Sequence, residues 1–363
     1  MKLHSFSSQL RHEYDFVFVS HLPSFYKINL FNAIAKNASV LAIFLGETSH
    51  ERTADFVKGE KHFDYLYLNS GDFERRSRWG SGWRLWRILR KLKYKKIGVG
   101  AWDLLESWVT VLCSPKHKNV IAQESSIFES ELNGWKGQLK RLFSKRLGLA
   151  LVSGEPHAQL MRAVGFCGNV VVTGGVGLAN RAARAAQVHR GFSGRFLYVG
   201  RLSPEKNLHF LLRVFALSGM DKFHLTLVGN GPERESLLAL AGENVTIAGH
   251  VPNEKILEVY ASNDVFILPS LSEPWGLVVE EALYYGLPVL ASSKVGSVED
   301  LVLSNGAGLA FDPLSEDSLQ QAIQIVAGQY EKYANAARAI DFSNRDANQV
   351  QVYIDAVYGR RAQ

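Results

Sequence analysis

The sequence is poor in cysteine and has no long apolar segment. It contains two cysteines, Cys113 and Cys167, in 363 residues, which excludes a disulfide framework and makes a reducing compartment the simpler interpretation. No apolar run approaches the roughly 18 residues that a membrane-spanning helix needs. The first residues lack the apolar core of a signal peptide. We therefore expect a protein of the cytoplasm.

Metal-binding and dinucleotide-binding patterns are also missing. No Asp-x-Asp occurs, and the 11 histidines show no ligand spacing with cysteine or aspartate, so no metal site is predicted. Gly175 and Gly177 are followed by Asn180, where the dinucleotide fingerprint requires a third glycine. This departure argues against a dehydrogenase.

The composition and the order of apolar runs indicate an α/β protein. Apolar residues make up 47% of the chain and charged residues 21%, as in folded proteins, and the length suits two domains. Short apolar runs alternate with segments of helical length, which is typical of parallel βαβ units. The expected strands are 14–20, 40–46, 64–68, 96–100, 119–123 and 149–153 in a first series, and 195–200, 224–229, 244–250, 264–269 and 287–292 in a second. The sequence thus predicts two Rossmann-like, doubly wound domains joined by a linker at 179–194.

Cations and backbone N–H groups that suit phosphate follow strands of the second series, where such sheets bind ligands. Arg201 and Lys206 lie just beyond strand 195–200, and a guanidinium with an ammonium can hold a phosphate. The alternative is a solvated helix start. The backbone of Gly276 and Leu277 begins a later helix, at the positive end of its dipole, and offers another anion site.

Two carboxylates flank this helix start in SEPWGLVVEEALYYGLP (272–288). Glu273 would be repelled by a phosphate but is a good acceptor for the hydroxyls of a sugar. Glu281 could accept from a second polyol such as ribose. A helix cap and a solvated surface acid are the alternative interpretation. The order sugar, phosphate and ribose is that of a nucleotide sugar.

The segments VGRLSPEKN (199–207), VGNGPERESL (228–237) and 272–288 resemble the retaining GT-B glycosyltransferases known as glycosyl transferases group 1, or family four. The resemblance implies the GT-B fold, with two Rossmann-like domains facing a cleft. It implies an acceptor-binding, membrane-facing domain at 1–178, to which a C-terminal helix at about 345–363 returns. A donor-binding domain would occupy 179–344.

Residue roles follow from the same resemblance. Implied donor contacts are Arg201 and Lys206 with the diphosphate, Glu273 with the transferred sugar, Glu281 with the ribose, Val251 and Pro252 with the base, and Gly229 and Gly231 in a tight turn near the donor. The first domain departs from the family, because Gln123-Glu124-Ser125 stands where relatives often carry a histidine. Either Gln123 replaces that histidine or Glu124, counted as a catalytic candidate, takes over its neighbourhood. Tyr26 and Lys27 are further candidates for acceptor contacts.

The function expected from the resemblance is transfer of a sugar with retention. The donor would be a nucleotide diphosphate sugar, with no cofactor and no metal, and the acceptor a saccharide or lipid-linked saccharide of surface polysaccharide or lipopolysaccharide biosynthesis. One alternative is a non-hydrolysing nucleotide-sugar epimerase on the same fold. Another is a non-catalytic member that binds a nucleotide sugar or a membrane.

Basic charge is concentrated in the first half of the chain. Residues 1–180 carry 25 Lys and Arg against 15 Asp and Glu, a net of +10, whereas the whole chain has a net charge of +6. The stretch 75–96 has ten cations and no acid. Placed on a helix, its leucines fall in one sector and its cations opposite, with tryptophans at the boundary, which favours an anionic membrane interface over a plain crossover helix. A second basic run, 136–146, adds to it. We expect peripheral binding to the inner face of the cell membrane and no binding to nucleic acid.

Overall fold

A computed structural model describes residues 11, 13–50, 54–181, 191–252 and 255–360. The chain divides into two compact units, Met1–Asn180 with Ser343–Gln363, and Arg181–Phe342. Most of the predicted linker, residues 182–190, lies outside the described residues. None of the helices in the described ranges is both long enough and apolar enough to cross a membrane.

The first unit is built on a seven-stranded parallel sheet of order β3-β2-β1-β4-β5-β6-β7. Its strands are β1 (Glu13–Ser20), β2 (Val40–Phe44), β3 (Asp64–Tyr67), β4 (Lys93–Val99), β5 (Asn119–Gln123), β6 (Leu149–Val152) and β7 (Asn169–Val172). Its helices are α1 (Phe25–Ile34), α2 (Arg78–Leu89), α3 (Leu105–Cys113), α4 (Gly134–Ser144) and α5 (Glu155–Ala163). The last helix of the chain, Phe342–Tyr358, packs Tyr353, Ile354 and Val357 into the core of this unit.

Both faces of the first sheet are buried, as expected for a parallel sheet with crossover helices. Alternate residues of β1 belong to different cores: Val17 and Val19 to one, Phe16 and Phe18 to the other. The first core also contains Leu85 and Leu89 of α2 and Phe143 of α4. Helices α2 and α4 therefore cover the same face of the sheet.

The second unit has a six-stranded parallel sheet of order β10-β9-β8-β11-β12-β13. Its strands are β8 (Arg195–Val199), β9 (His224–Val228), β10 (Val245–Gly249), β11 (Val265–Leu268), β12 (Val289–Ser292) and β13 (Gly308–Phe311). Its helices are α6 (Leu208–Phe215), α7 (Arg234–Leu240), α8 (Ile256–Ala261), α9 (Leu277–Tyr284), α10 (Glu316–Gly328) and α11 (Tyr330–Ala339), followed by α12 (Phe342–Tyr358), which leads into the first unit.

In each sheet the strand order reverses beside the first strand. The reversal lies between β1 and β4 in the first unit and between β8 and β11 in the second. Loops that leave the carboxyl ends of two such strands diverge and form the crevice in which doubly wound sheets bind ligands. Ligand-binding residues are therefore expected after β1 and β4 in the first unit, and after β8 and β11 in the second.

The predicted α/β class and the two parallel sheets are confirmed, with differences in detail. Strands β7 and β13 were not among the expected runs; unlike the fully buried β6, β11 and β12, each is only partly buried. The helix expected across 75–96 is wrong in its second half. Helix α2 ends at Leu89, and β4 begins at Lys93, because pairing with β1 starts at Glu13 and draws the segment from Lys93 onward into the sheet.

Candidate active site

A lysine and a glutamate predicted as ligand contacts lie together in the second unit. Lys206 ends a short 3-10 turn, Pro204–Lys206, that follows β8, and Glu273 lies in the loop between β11 and α9. The Lys206 ammonium pairs with Oε2 of Glu273, and both side chains are mostly buried. The Ser270 hydroxyl donates to the same oxygen at 3.4 Å. A cation and a carboxylate are thus held side by side where the strand order reverses.

Backbone contacts fix the loop that carries Glu273. The Glu273 amide donates to the Lys294 carbonyl at 3.1 Å, and the Gly296 amide donates to the Glu273 carbonyl at 2.9 Å. From the other side, the Asn207 side chain donates to the carbonyls of Pro269 and Pro313 at 3.3 and 2.9 Å. Asn207 adopts a left-handed conformation with φ of 59°, which asparagine tolerates better than most residues. Sequence reasoning missed this residue, although it directly follows Lys206.

Arg201 lies on the solvent side of the same region. Its side chain is 56% exposed and its Nη2 pairs with Oε1 of Glu205 at 2.9 Å. Burial raises the pKa of Glu205, but hydrogen bonds from Ser203, the backbone and Arg201 outweigh it and lower that pKa to about 2. The Tyr198 hydroxyl donates to the Arg201 carbonyl at 2.8 Å. The Arg201 backbone is therefore anchored, while its guanidinium remains accessible to a ligand anion.

The start of α9 requires a glycine. Gly276 precedes Leu277, the first residue of the helix, with φ of 87°. A Cβ at Gly276 would lie 3.2 Å from Cγ1 of Val295 and 3.3 Å from Cγ of Glu273. Both the backbone angle and the narrow space therefore disfavour a side chain beside Glu273.

Glu281 is held within α9 by a tyrosine that the sequence did not single out. The Tyr260 hydroxyl of α8 donates to Oε2 of Glu281 at 3.1 Å. Burial raises the pKa of Glu281 to about 7, and the repulsion from Glu280 adds to this, whereas the Tyr260 hydrogen bond and Arg181 act in the opposite direction. This carboxyl group therefore titrates near neutral pH.

A buried network ties α9 back to the loop before it. Nε1 of Trp275 donates to Oε1 of Glu280 at 2.9 Å, and Nη2 of Arg181 lies 3.7 Å from Oε2 of Glu280. Trp275 and Glu280 were visible in the quoted motif as neighbours of Glu273 and Glu281. The hydrogen bond between them could not be predicted from the sequence, because it depends on the turn that separates them.

The remaining donor candidates follow β9 and β10. A Cβ at Gly229 would lie 1.8 Å from the Gly200 carbonyl oxygen, and one at Gly231 would lie 2.1 Å from that of Leu202. These two glycines therefore let the loop after β9 lie against the loop after β8. Val251 and Pro252 follow β10, and the Pro252 carbonyl accepts from the Lys255 amide at 2.9 Å.

The candidates of the first unit cluster beyond β1 and β5. Nζ of Lys27 lies 2.7 Å from Oε1 of Glu124, and the Tyr26 hydroxyl donates to Oε2 of Glu124 at 3.1 Å. Gln123 is buried as the last residue of β5, and its Nε2 donates to the Ser125 carbonyl at 3.0 Å. Of the two residues that could stand for the family's histidine, Glu124 is the one with an accessible side chain.

Comparison with known proteins agrees with this description. Residues 180–340 match the family described as Glycosyl transferases group 1. The sulfoquinovosyl transferase SQD2 of Arabidopsis thaliana is 35% identical over 113 residues, which are 31% of this chain and 22% of that protein. The O-antigen chain mannosyltransferase B of Escherichia coli is 33% identical over 141 residues, 36% of each chain. The chain therefore spans well under half the length of these two relatives.

A solved structure matches nearly the whole chain. The sucrose-phosphate synthase of Thermosynechococcus elongatus superposes with a TM-score of 0.70 and 19% identity, covering 95% of this chain and 99% of that one. At this identity the match establishes the fold alone. The family match thus covers residues 180–340, in the second unit, and the structural match shows that the chain has a GT-B fold.

Proposed function

We propose that the chain is a glycosyltransferase whose second unit binds a nucleotide diphosphate sugar. The observation that carries this proposal is the Lys206–Glu273 pair beside the start of α9. Lys206, Arg201 and the helix start supply positive charge for a diphosphate. Glu273 supplies a carboxylate for the hydroxyls of the transferred sugar, and Glu281 supplies one for the ribose. Val251 and Pro252 offer backbone contacts to the base.

The proposed transfer retains the anomeric configuration and uses no metal. Glu273 is engaged by Lys206 and Ser270, which suits a hydrogen-bond acceptor better than a nucleophile. The bond between the anomeric carbon and the diphosphate breaks as the acceptor oxygen attacks from the same face, and the departing phosphate takes the acceptor proton. Arg201, Lys206 and the N-terminus of α9 stabilise the charge that develops on the phosphate, so the acceleration comes from positioning and electrostatics.

Heat denaturation in the presence of UDP-, GDP- and ADP-sugars tests the donor proposal. A ligand at one hundred times its Kd stabilises the folded state by about 2.7 kcal/mol. We expect one nucleotide to raise the melting temperature of the protein in the presence of EDTA, and Lys206→Ala to abolish that shift. Lys222→Ala, which removes an exposed lysine elsewhere in the unit, is the control. If no nucleotide sugar raises the melting temperature, the proposal is wrong.

The anomeric configuration of the product separates transfer with retention from the alternatives. Proton NMR of the reaction shows the coupling constant at the new anomeric centre, which we expect to match that of the donor. Inversion would contradict the mechanism, and conversion of the nucleotide sugar without an acceptor would instead support the epimerase alternative.

We further propose that the first unit docks on an anionic membrane and receives a lipid-linked saccharide there. The supporting observation is that α2, α3 and α4, which pack on the same face of the sheet, each expose large apolar side chains; the exposed side of this helix layer is called here the tryptophan face. These residues are Trp79, Trp83, Trp86, Leu112, Trp135, Leu139 and Leu142. Trp79 is 80% exposed and Trp135 is 69% exposed. Several large exposed apolar side chains on one layer of helices favour a contact with a partner or a membrane.

Cations accompany the tryptophans. The guanidinium groups of Arg87 and Arg90 stack on the rings of Trp83 and Trp86, each 4.7 Å from the ring centroid. Leu85 and Leu89 lie in the core, so the leucine sector expected to face the membrane faces the sheet instead. The proposed membrane-binding side of α2 carries tryptophan and arginine. Tryptophan beside arginine suits the headgroup level of an anionic bilayer. A lipid-linked acceptor in surface polysaccharide assembly fits this placement, as does the O-antigen relative.

Vesicle flotation tests the membrane proposal. The full chain should float with vesicles that contain phosphatidylglycerol and remain unbound with phosphatidylcholine alone. Arg87→Glu combined with Arg90→Glu should reduce binding at least tenfold, because each basic residue near the surface contributes about 1 kcal/mol. Leu240→Ala removes an exposed apolar side chain from the second unit and serves as the control. Equal binding by the charge-reversed variant would contradict the proposal.

A further inference from the structure

The first unit contains a buried lysine whose charge is already neutralised. Lys27, in the first turn of α1, is 6% exposed, and its Nζ lies 2.7 Å from Oε1 of Glu124. Burial lowers the pKa of Lys27, but the carboxylate of Glu124 outweighs it and the pKa is raised overall. The lysine therefore stays charged and is committed to an internal partner.

The surroundings of Lys27 leave no room for a ligand anion. Nζ lies 3.3 Å from the Ser20 hydroxyl and 5.7 Å from the centroid of the Phe18 ring. A Cβ at Gly100 would lie 3.3 Å from Nζ, so the end of β4 closes over the ammonium. These residues all belong to β1, β4 and the segments that follow them, beside the reversal of strand order.

Glu124 is the open end of this arrangement. Its side chain is 27% exposed, against 8% for that of Lys27. Behind it, the Tyr26 hydroxyl donates to Oε2 at 3.1 Å, and a ring nitrogen of His157 lies 3.1 Å from the Glu124 backbone oxygen. The carboxylate is thus held in one orientation, with Oε1 buried against Lys27. Oε2 accepts one hydrogen bond, from Tyr26, and a carboxylate oxygen has the capacity for about two.

We propose that the Tyr26–Lys27–Glu124 cluster is the part of the acceptor site that binds an uncharged sugar ring through its hydroxyls and discriminates against an acidic one. The proposal rests on the proposed function, whose acceptor is a saccharide. Glu124 offers only hydrogen-bond acceptors, which match hydroxyl donors. A uronic acid meets the carboxylate side of the ion pair, because Glu124 is more exposed than Lys27, and its own carboxylate cannot form a hydrogen bond with the enclosed ammonium. Glu124 contacts substrate, whereas Lys27 and Tyr26 are positioning residues.

The first experiment compares two probes on the full chain. Methyl α-glucopyranoside and methyl α-glucopyranosiduronate differ in one group, and saturation-transfer NMR measures the binding of each. We expect the neutral glycoside to bind at least tenfold more tightly. Equal or tighter binding of the uronate, or no binding of either, would overturn the proposal. Donor binding is measured separately by heat denaturation, so failure of the proposed function is seen as loss of that shift in the unmodified protein.

Variants then test the cluster itself. Lys27→Met combined with Glu124→Gln removes both charges together and avoids an unpaired buried charge. We expect this double variant to bind the donor normally, to bind the neutral probe at least fivefold more weakly, and to lose the discrimination against the uronate. Tyr26→Phe, which keeps both charges, should weaken neutral binding and retain the discrimination. Lys95→Met breaks the Lys95–Asp15 pair near the opposite ends of β4 and β1, and should change nothing. Unaltered discrimination in the double variant would overturn the inference.

Discussion

Burial shifts the titration of Glu281 to near neutral pH. Its pKa of about 7 lies above the usual value of 4.5. Between these two values the folded protein binds a proton that the unfolded chain does not, so the free energy of unfolding falls as the pH rises through this window. Burial of the Glu281 carboxyl group thus has a cost in stability, which can be measured.

Glu281→Gln should remove this pH dependence. We expect the free energy of unfolding of the unmodified protein, relative to that of the variant, to fall by about 2 kcal/mol between pH 5 and pH 8, since one pKa unit corresponds to about 1.4 kcal/mol. Urea denaturation of both proteins across this range measures the difference. Parallel curves for the two proteins would show that Glu281 does not titrate in the window.

Gly276→Ala tests whether the start of α9 must be free of a side chain. Alanine at φ of 87° is strained by about 1–2 kcal/mol, and its Cβ would also press on Val295 and Glu273. We expect a loss of stability of that size, with donor binding weakened at least tenfold. Gly219→Ala is a matched control, because Gly219 has φ of 78° and no atom lies within 4 Å of its Cβ position. The Gly219→Ala variant should lose stability but keep its donor affinity. Equal donor affinity in the two variants would contradict the assignment of the α9 start to donor binding.

At the scale of elements, hydrogen bonds join the loop between β11 and α9 to the helix that follows it. The indole of Trp275 binds Glu280 one turn further on, and backbone hydrogen bonds join Glu273 to Lys294 and Gly296. The orientation of Glu273 therefore depends on a hydrogen bond made by a residue that does not itself have to touch the donor.

Trp275→Phe should loosen this loop. Loss of a buried hydrogen bond costs about 1–3 kcal/mol, and we expect donor binding to weaken severalfold because Glu273 is less well oriented. Trp108→Phe removes a comparable indole hydrogen bond, to the Trp102 carbonyl in the first unit. Isothermal titration with the donor compares the two variants. If Trp108→Phe weakens donor binding as much as Trp275→Phe, the effect is global and the positioning argument fails.

The elements also show why sequence reasoning succeeded where it did. Continuous apolar runs such as NVIAQ predicted β5 without error, because a strand buried on both faces needs apolar residues throughout. The helix predicted across 75–96 was too long, because the helical periodicity of Leu85 and Leu89 was extended to Lys93 and Lys95. Those lysines lie in β4, where Tyr94 between them is buried by the sheet. Pairing with β1 decided the outcome, and it cannot be read from a local pattern.

At the scale of the whole molecule, the two halves of the chain differ in how well they could be predicted. The candidate donor residues occupy short motifs whose order along the chain is that of the strands, so their placement beyond β8 and β11 follows from topology. The Lys27–Glu124 pair joins α1 to the segment after β5, which is distant in sequence, and Tyr260 reaches Glu281 from another helix. The sequence named Lys27 and Glu124 as candidates but gave no signal that they pair, and it gave no signal for Tyr260.

The charge difference between the halves belongs to the same scale. The net charge of +10 over residues 1–180 lies in the unit that presents the tryptophan face, and the remainder of the chain, with a net of −4 (16 Lys and Arg against 20 Asp and Glu), contains the candidate donor site. A basic surface concentrated in one unit attracts an anionic membrane more strongly than an evenly distributed charge would. In the proposed function, the candidate donor site depends on two local cations, Arg201 and Lys206, within an acidic unit.

A crystal structure with the nucleotide diphosphate sugar that most stabilises the protein tests the central claim most directly. We predict that the diphosphate lies within hydrogen-bonding distance of Nζ of Lys206 and the backbone amide of Leu277, with the sugar hydroxyls on Glu273 and the ribose on Glu281. A ligand bound elsewhere in the second unit, or one whose diphosphate touches neither Lys206 nor the start of α9, would contradict the account.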